Sequence, residues 1–152
     1  MIADIALQQV GYHEGTNNTN KFSQALKRPA ESWCADFVVW CAIQDQQSDL
    51  VLHSSYCPDF EAWAKKNGLV IPVEQVQKND LLLFDWTHKG IAEHIGIATA
   101  AFNKATHSVA TVEGNTGLPG ANQSNGDGVY TKNRDASLIR LAIRPKWRTK
   151  WK

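Results

Sequence analysis

The hydrophobic pattern of this chain changes between its two halves, and this change limits the folds that the chain can adopt. The first half contains short segments with apolar residues at helical spacing, bounded by glycine or proline. The second half contains short runs rich in β-branched and aromatic residues, separated by Gly, Asn and Asp turns. Helices followed by antiparallel strands are typical of an α+β domain. The sequence therefore predicts N-terminal helices packed on a C-terminal antiparallel β-sheet.

The expected elements can be placed from their end signals. The predicted helices are residues 3–11, 20–26, 32–46 and 58–68. The predicted strands lie in "DLLLFDW", "HIGIATAAF", "SVATVEGN", "GVYTKN" and "SLIRLAIRP". Gly11 is expected to end the first helix, and Ser32 is expected to cap the third. This arrangement places Cys34 in the first turn of the third helix.

Composition excludes several classes of protein. A length of 152 residues fits one domain that can bury a core without disulfides or metals. The net charge of +1 gives no overall field to attract nucleic acid. No apolar run is long enough to span a membrane, and "MIADIALQQVGYHEG" lacks the positive start of a secretory signal. We therefore expect no nucleic-acid partner, no stable membrane insertion and no signal peptide.

The chain has three cysteines, an odd number, so at least one thiol is unpaired or pairs between chains. Cys34 and Cys41 lie seven positions apart, which is about 10 Å along a helix. This separation exceeds the Cα distance of about 7 Å that a disulfide can span. Cys57 could reach either of them only through tertiary folding, so its role stays open at this stage.

Cys34 has the position of a nucleophile. The pKa of a thiol falls at a helix N-terminus, and the free N–H groups there can stabilise an oxyanion. A nucleophile also needs a base, and of the five histidines only His94 opens a clean strand. Glu113 and Asn115 lie two positions apart in the next strand and so share a face. If these strands pair antiparallel, one of the two side chains binds the imidazole and the other lies within reach.

Each of these residues also has an ordinary structural interpretation. A buried cysteine is commonly a small hydrophobic residue, and Cys41 on the apolar face is assigned to that class. His94 could simply end a strand, and Glu113 and Asn115 could simply form a turn. The coincidence of all four at element ends favours a catalytic site. Paired metal-site spacings such as CxxC or HExxH are missing, as are glycine-rich phosphate loops, so no metal and no cofactor is predicted.

The motifs "SWCADFVVWC", "DLLLFDW", "HIGIA" and "TVEGNTG", in this order, resemble the CHAP family of cysteine- and histidine-dependent amidohydrolases and peptidases. The segment from "EGNTG" to "NQSNGDGVYTKNR" looks especially like phage endolysins. The resemblance implies a papain-like α+β fold and cleavage of amide bonds in peptidoglycan. It implies Cys34 as nucleophile, His94 as general base, Glu113 as the acid that orients the histidine, and Asn115 as an assisting amide.

Two family comparisons refine this expectation. The NlpC/P60 family shares the order of the motifs but usually has Asp-Cys-Ser at the nucleophile and a second histidine as the orienting group. Here Trp33 precedes the cysteine and the third group is Glu113, which disfavours that family. Some CHAP domains hold calcium in an acidic loop before the nucleophile. Only Glu14 and Glu31 supply acids in that region, so calcium dependence is not expected.

The expected function is a monomeric peptidoglycan amidase or endopeptidase that lyses the host of a phage. Trp33 and Trp86 could line the substrate groove, and core packing is the alternative for both. The competing hypotheses are a CHAP-like module that binds the wall without cutting it, and a metallohydrolase. The protein would be made in the host cytoplasm and reach the cell wall by a separate route. The chain is expected to be either a single-domain lysin or the catalytic part of a longer protein.

The domain prediction separates residues 1–145, the catalytic domain, from residues 146–152, a basic tail. Trp147 and Trp151 lie four positions apart in this tail and could align on one face. The tail could therefore contact anionic wall polymers. A solvated tail with an incidental pair of tryptophans is the alternative.

Overall fold

The computed structural model describes residues 1–148. Its helices are α1 (Ile2–Leu7), α2 (Lys21–Ala25), α3 (Cys34–Gln44) and α4 (Cys57–Lys66). Its strands are β1 (Val70–Ile71), β2 (Leu81–Phe84), β3 (His94–Ala98), β4 (Ser108–Thr116), β5 (Gly128–Asp135) and β6 (Ile139–Ile143). Short 3₁₀ turns are formed by Thr16–Asn18, Ser48–Leu50, Val73–Gln75 and Ala136–Leu138.

These strands form one antiparallel sheet in the order β1-β6-β2-β3-β4-β5. Helices come first along the chain and the sheet follows, so the predicted α+β class is confirmed. In the central pair, Ile97 of β3 lies opposite Val112 of β4. This register directs His94, at the start of β3, toward the end of β4 that contains Glu113 and Asn115.

The main core lies between the helices and one face of the sheet. Alternate residues of β2 point to opposite faces, so Leu81 and Leu83 join the helix side while Leu82 and Phe84 join a smaller cluster on the other face. α3 is buried along most of its length. It packs against β3 and β4. The start of α3 is thereby held close to the start of β3.

Two details of the predicted helices were wrong. Ser32 does not cap α3, because Trp33 occupies the N-cap position and makes no side-chain capping bond. α1 ends at Leu7 and not at Gly11, and the chain turns through three further residues before Gly11 adopts a positive φ of 98°. The predicted second helix is shorter but has a clear cap, since the Asn20 side chain accepts a hydrogen bond from the Ser23 N–H at 2.8 Å.

The described part of the C-terminal segment packs on the domain. The Trp147 indole donates to the Asn79 carbonyl at 2.9 Å, and the Arg148 guanidinium binds Asp49. Trp151, the second tryptophan of the predicted wall-binding pair, lies outside the described residues. Within residues 1–148, no helix has both the length and the apolar character needed to cross a membrane.

Candidate active site

Cys34 is the first residue of α3 and lies in the core beside the sheet. A helix begins with backbone N–H groups that have no partner within the helix, and its peptide dipoles give this end a partial positive charge. Both effects favour the thiolate form of a cysteine at this position. The side chain is 5% exposed, so the sulfur is almost enclosed by protein.

His94 is fully buried and binds Glu113 through one of its ring nitrogens. Its Nε2 lies 2.9 Å from Oε1 of Glu113. A carboxylate can only accept a hydrogen bond, so Nε2 carries the proton and donates it. Nδ1 is buried and has no hydrogen-bond partner within residues 1–148. The ring nonetheless lies close enough to Cys34 for each group to change the pKa of the other.

The two pKa shifts favour an ion pair. The pKa of the Cys34 thiol is held well below its ordinary value, first by a hydrogen bond from Cys57 and then by the His94 ring and the Ile95 backbone N–H, against the opposing effect of burial. Burial alone would lower the pKa of His94, but contact with Cys34 and Glu113 raises it to about 9. Both shifts favour the form of the pair in which Cys34 is a thiolate and His94 is an imidazolium.

Glu113, on β4, is held ionised by an arginine that the sequence did not reveal. Arg134, on β5, donates from Nε to Oε2 of Glu113 at 2.8 Å and from Nη2 to Oε1. The Thr111 hydroxyl also donates to Oε2. Burial raises the pKa of this carboxyl, but Arg134 and then His94 outweigh that effect and lower it to about 2. The carboxylate is thus charged whenever the protein is folded near neutral pH.

Two aromatic rings also hold the guanidinium of Arg134 in place. Its Cζ lies 4.7 Å from the centroid of the Trp86 ring and 5.6 Å from that of Phe84. The two rings stack with centroids 5.1 Å apart, and Trp86 also contacts His94. A cation over an aromatic face is stabilised electrostatically. These rings and Glu113 together hold Arg134 in one position.

Gly96 allows Glu113 to reach His94. A Cβ at position 96 would lie 2.7 Å from Cγ of Glu113, closer than real Cβ contacts come. The glutamate side chain therefore runs over the backbone of β3 at the one point where that strand has no side chain. The glycine in "HIGIA" is explained by this close approach.

Asn115 is not part of the connected cluster. Its backbone has a φ of 56°, a left-handed conformation that asparagine tolerates better than most residues. Its amide donates to the Ser124 carbonyl at 3.4 Å, and its Oδ1 is buried with no hydrogen-bond partner among the described residues. No hydrogen bond in the described chain joins it to His94. Its assisting role stays a prediction.

The two tryptophans named from the sequence occupy different environments. Trp33 is fully buried, stacks on Phe22 and donates its indole N–H to Glu14 at 2.8 Å. This environment agrees with the alternative that Trp33 packs in the core. Trp86 is partly exposed beside His94, and its indole nitrogen is buried without a hydrogen-bond partner in residues 1–148. A contact between Trp86 and substrate stays a prediction.

All three cysteines are free and buried. Cys41 packs in the core on the same helix as Cys34, and burial raises its pKa well above the ordinary value. Cys57 lies beside the nucleophile candidate, with its sulfur 3.6 Å from that of Cys34. Only tertiary folding brings them together, because 23 positions separate them in the sequence.

The fold and the cluster define a class of protein. An α+β domain that brings a helix-end thiol to an imidazole, and the imidazole to a buried carboxylate, has the parts of a cysteine hydrolase. A family model described as CHAP domain matches residues 27–115, more than half of the chain. The chain belongs to the CHAP family. No curated protein and no solved structure matches it.

Membership in the CHAP family indicates a general class of activity. CHAP domains are generally cysteine- and histidine-dependent amidohydrolases, and they imply peptidoglycan as substrate. The matched segment contains Cys34, His94, Glu113 and Asn115. It ends before β5, so Arg134 lies outside it.

Proposed function

We propose that this protein hydrolyses an amide bond of bacterial peptidoglycan, with Cys34 as nucleophile and His94 as general acid and base. The observation that supports the proposal most strongly is a row of neighbouring buried polar groups. Cys34 lies close enough to His94 for each to change the pKa of the other, His94 binds Glu113, and Glu113 is held by Arg134. Burial of such a row costs free energy, and ordinary core packing would not require it.

The first half of the proposed reaction forms a thioester. The Cys34 thiolate attacks the carbonyl carbon of the amide, and the carbonyl oxygen becomes an oxyanion beside the free N–H groups of the first turn of α3. The His94 imidazolium then gives its proton to the nitrogen of the departing amine as the carbon–nitrogen bond breaks. Glu113 fixes the orientation of the ring throughout, because it binds Nε2.

The second half releases the acid. Neutral His94 removes a proton from water while the water oxygen attacks the thioester carbonyl. The carbon–sulfur bond breaks, the carboxylic acid leaves, and Cys34 returns to the thiolate form beside a protonated His94. The site therefore regains its starting ion pair.

The proposal also covers which amide bond is cut and where the enzyme acts. The same chemistry serves a muramoyl-L-alanine amidase and an endopeptidase of stem peptides or cross-bridges, because both cut an amide. The resemblance of the segment that follows Glu113 to phage endolysins favours a role in host lysis. In that role the enzyme is made in the host cytoplasm and reaches the wall by a separate route.

The reaction class is tested with purified peptidoglycan and two reagents. We expect the protein to release new amino groups, iodoacetamide to abolish that release, and a metal chelator to leave it unchanged. Loss of activity with the chelator but not with iodoacetamide would indicate a metallohydrolase and contradict the proposal. Sedimentation of the protein with walls, without any release of amino groups, would indicate a binding module and contradict it as well.

A further inference from the structure

The Cys57 thiol is the closest titratable neighbour of Cys34 that the proposed reaction leaves unused. The two sulfurs are 3.6 Å apart, and one of the two thiols donates a hydrogen bond to the other. Both side chains are buried, with exposures of 5% and 6%. Neither is part of a disulfide. A thiol in this position can act directly on the charge of the nucleophile.

Two helix ends bring these sulfurs together. Cys34 is the first residue of α3 and Cys57 is the first residue of α4, and neither helix has a side-chain capping bond at its start. Each end therefore carries a partial positive charge. The convergence of two such ends is a favourable environment for one negative charge. It does not favour two negative charges 3.6 Å apart.

The surroundings decide which sulfur carries that charge. The titratable groups that interact with Cys34 are Cys57 of α4, His94 of β3, and Asp36, which lies two positions further along α3. The backbone N–H of Ile95 lies near enough to Cys34 to favour its charged form. The hydrogen bond to Cys34, then burial, and then negative charge on Cys34 raise the pKa of Cys57 well above its ordinary value. Cys57 thus keeps its proton when Cys34 ionises.

We infer that Cys57 is a positioning residue whose S–H group donates a hydrogen bond to the Cys34 thiolate, holding the attacking sulfur in place and ionised between turnovers. This inference rests on the proposed function and adds a residue to it. When Cys34 attacks a carbonyl, its charge moves to the oxyanion and the bond from Cys57 weakens. Cys57 keeps its proton and forms no covalent bond at any step.

The test measures the ionisation of Cys34 directly. Iodoacetamide alkylates thiolates, so its rate at Cys34 as a function of pH gives the midpoint of ionisation, and peptide mass mapping identifies the sulfur that reacts. The variants are Cys57→Ala and Cys57→Val, which remove the donor, and Cys57→Ser, which keeps one. The matched control is Cys41→Ala, which removes another buried thiol that belongs to α3 but does not touch the site.

Loss of the donor is expected to move the midpoint upward by about one pH unit or more, since the thiolate loses a hydrogen bond to a charged group. Cys57→Ser and Cys41→Ala should keep the midpoint near that of the parent. An unchanged midpoint in Cys57→Ala and Cys57→Val, or an equal shift in all three Cys57 variants, would overturn the inference. A purely structural role would change stability and leave the midpoint in place.

The same variants separate this inference from the proposed function. Alkylation reports the ionisation of Cys34 whether or not the protein cuts peptidoglycan. The expected midpoints in a protein that releases no amino groups would leave the inference standing and overturn the function. An active enzyme in which the Cys57 variants leave the ionisation midpoint of Cys34 unchanged would overturn the inference and leave the proposed function standing.

Discussion

Arg134 shows how much one residue can determine in a buried site. It supplies two hydrogen bonds to Glu113 and is packed against Trp86. Without it, Glu113 would be a buried carboxyl whose pKa burial raises, and it could no longer orient His94 as a carboxylate. A buried guanidinium beside a carboxylate also costs more to break than an exposed pair, since either partner left alone is an unpaired buried charge.

Arg134→Gln is expected to change how the free energy of unfolding depends on pH in acidic solution. Glu113 has a folded pKa of about 2 against an ordinary 4.5, so it stabilises the fold above pH 4.5 and this contribution is lost as the pH falls toward 2. The contribution is about 3 kcal/mol. In Arg134→Gln the folded pKa of Glu113 rises toward its ordinary value, so this contribution is already missing above pH 4.5 and the unfolding free energy falls less steeply between pH 4.5 and 2. Urea unfolding across this range measures it.

Two comparisons make this test specific. Arg134→Lys keeps the charge but loses the paired donors, so it should lie between the parent and Arg134→Gln. Arg148→Gln removes an arginine whose partner, Asp49, is exposed, and it should change stability by less than about 1 kcal/mol. If the unfolding free energy of Arg134→Gln falls between pH 4.5 and 2 as steeply as that of the parent, Arg134 does not control Glu113.

At the scale of elements, β3 and β4 form the scaffold of the candidate site because one strand leaves space for a side chain of the other. The register of the pair brings the start of β3 to the end of β4. Gly96 then leaves the space through which Glu113 reaches His94. This arrangement predicts that adding one methyl group to β3 lowers activity while the domain still folds.

Gly96→Ala is expected to lower the rate of amide cleavage roughly ten- to hundred-fold, because the added Cβ displaces the Glu113 side chain that orients His94. The crowding should cost about 1–3 kcal/mol of stability, which leaves the domain folded. The control is Gly15→Ala, where the added Cβ meets its neighbours only at 3.6 Å. Full activity in a folded Gly96→Ala would show that the position of Glu113 is not critical.

Most elements could be predicted from the sequence, and the exceptions have physical causes. The strands containing His94 and Glu113 were placed correctly because each is a run of β-forming residues ended by turn residues, whereas the predicted "GVYTKN" strand stopped one residue before Arg134. β1 was missed because Val70–Ile71 is too short to show alternation. The Ser32 cap was wrong because the start of α3 is set by packing of Trp33 in the core and not by a capping side chain.

At the scale of the whole molecule, the helical half supplies the thiol of the candidate site, and the sheet supplies the groups that we propose activate it. The sequence could predict Cys34, His94 and Glu113 as candidates because each lies at an element end or in a family motif. It could not predict Cys57 and Arg134. Their positions depend on how α4 meets α3 and on how β5 pairs with β4, which are long-range contacts that no local pattern encodes.

The central claim is that the sulfur of Cys34 attacks the substrate, and a digest of purified peptidoglycan tests it most directly. The measurement is the rate of release of amino groups, with fragment masses, for the parent, Cys34→Ala and Cys41→Ala, each shown to be folded by circular dichroism. The account predicts that the parent and Cys41→Ala cleave at similar rates and that Cys34→Ala is slower roughly a thousand-fold or more. Cleavage by folded Cys34→Ala at the rate of the parent would contradict it.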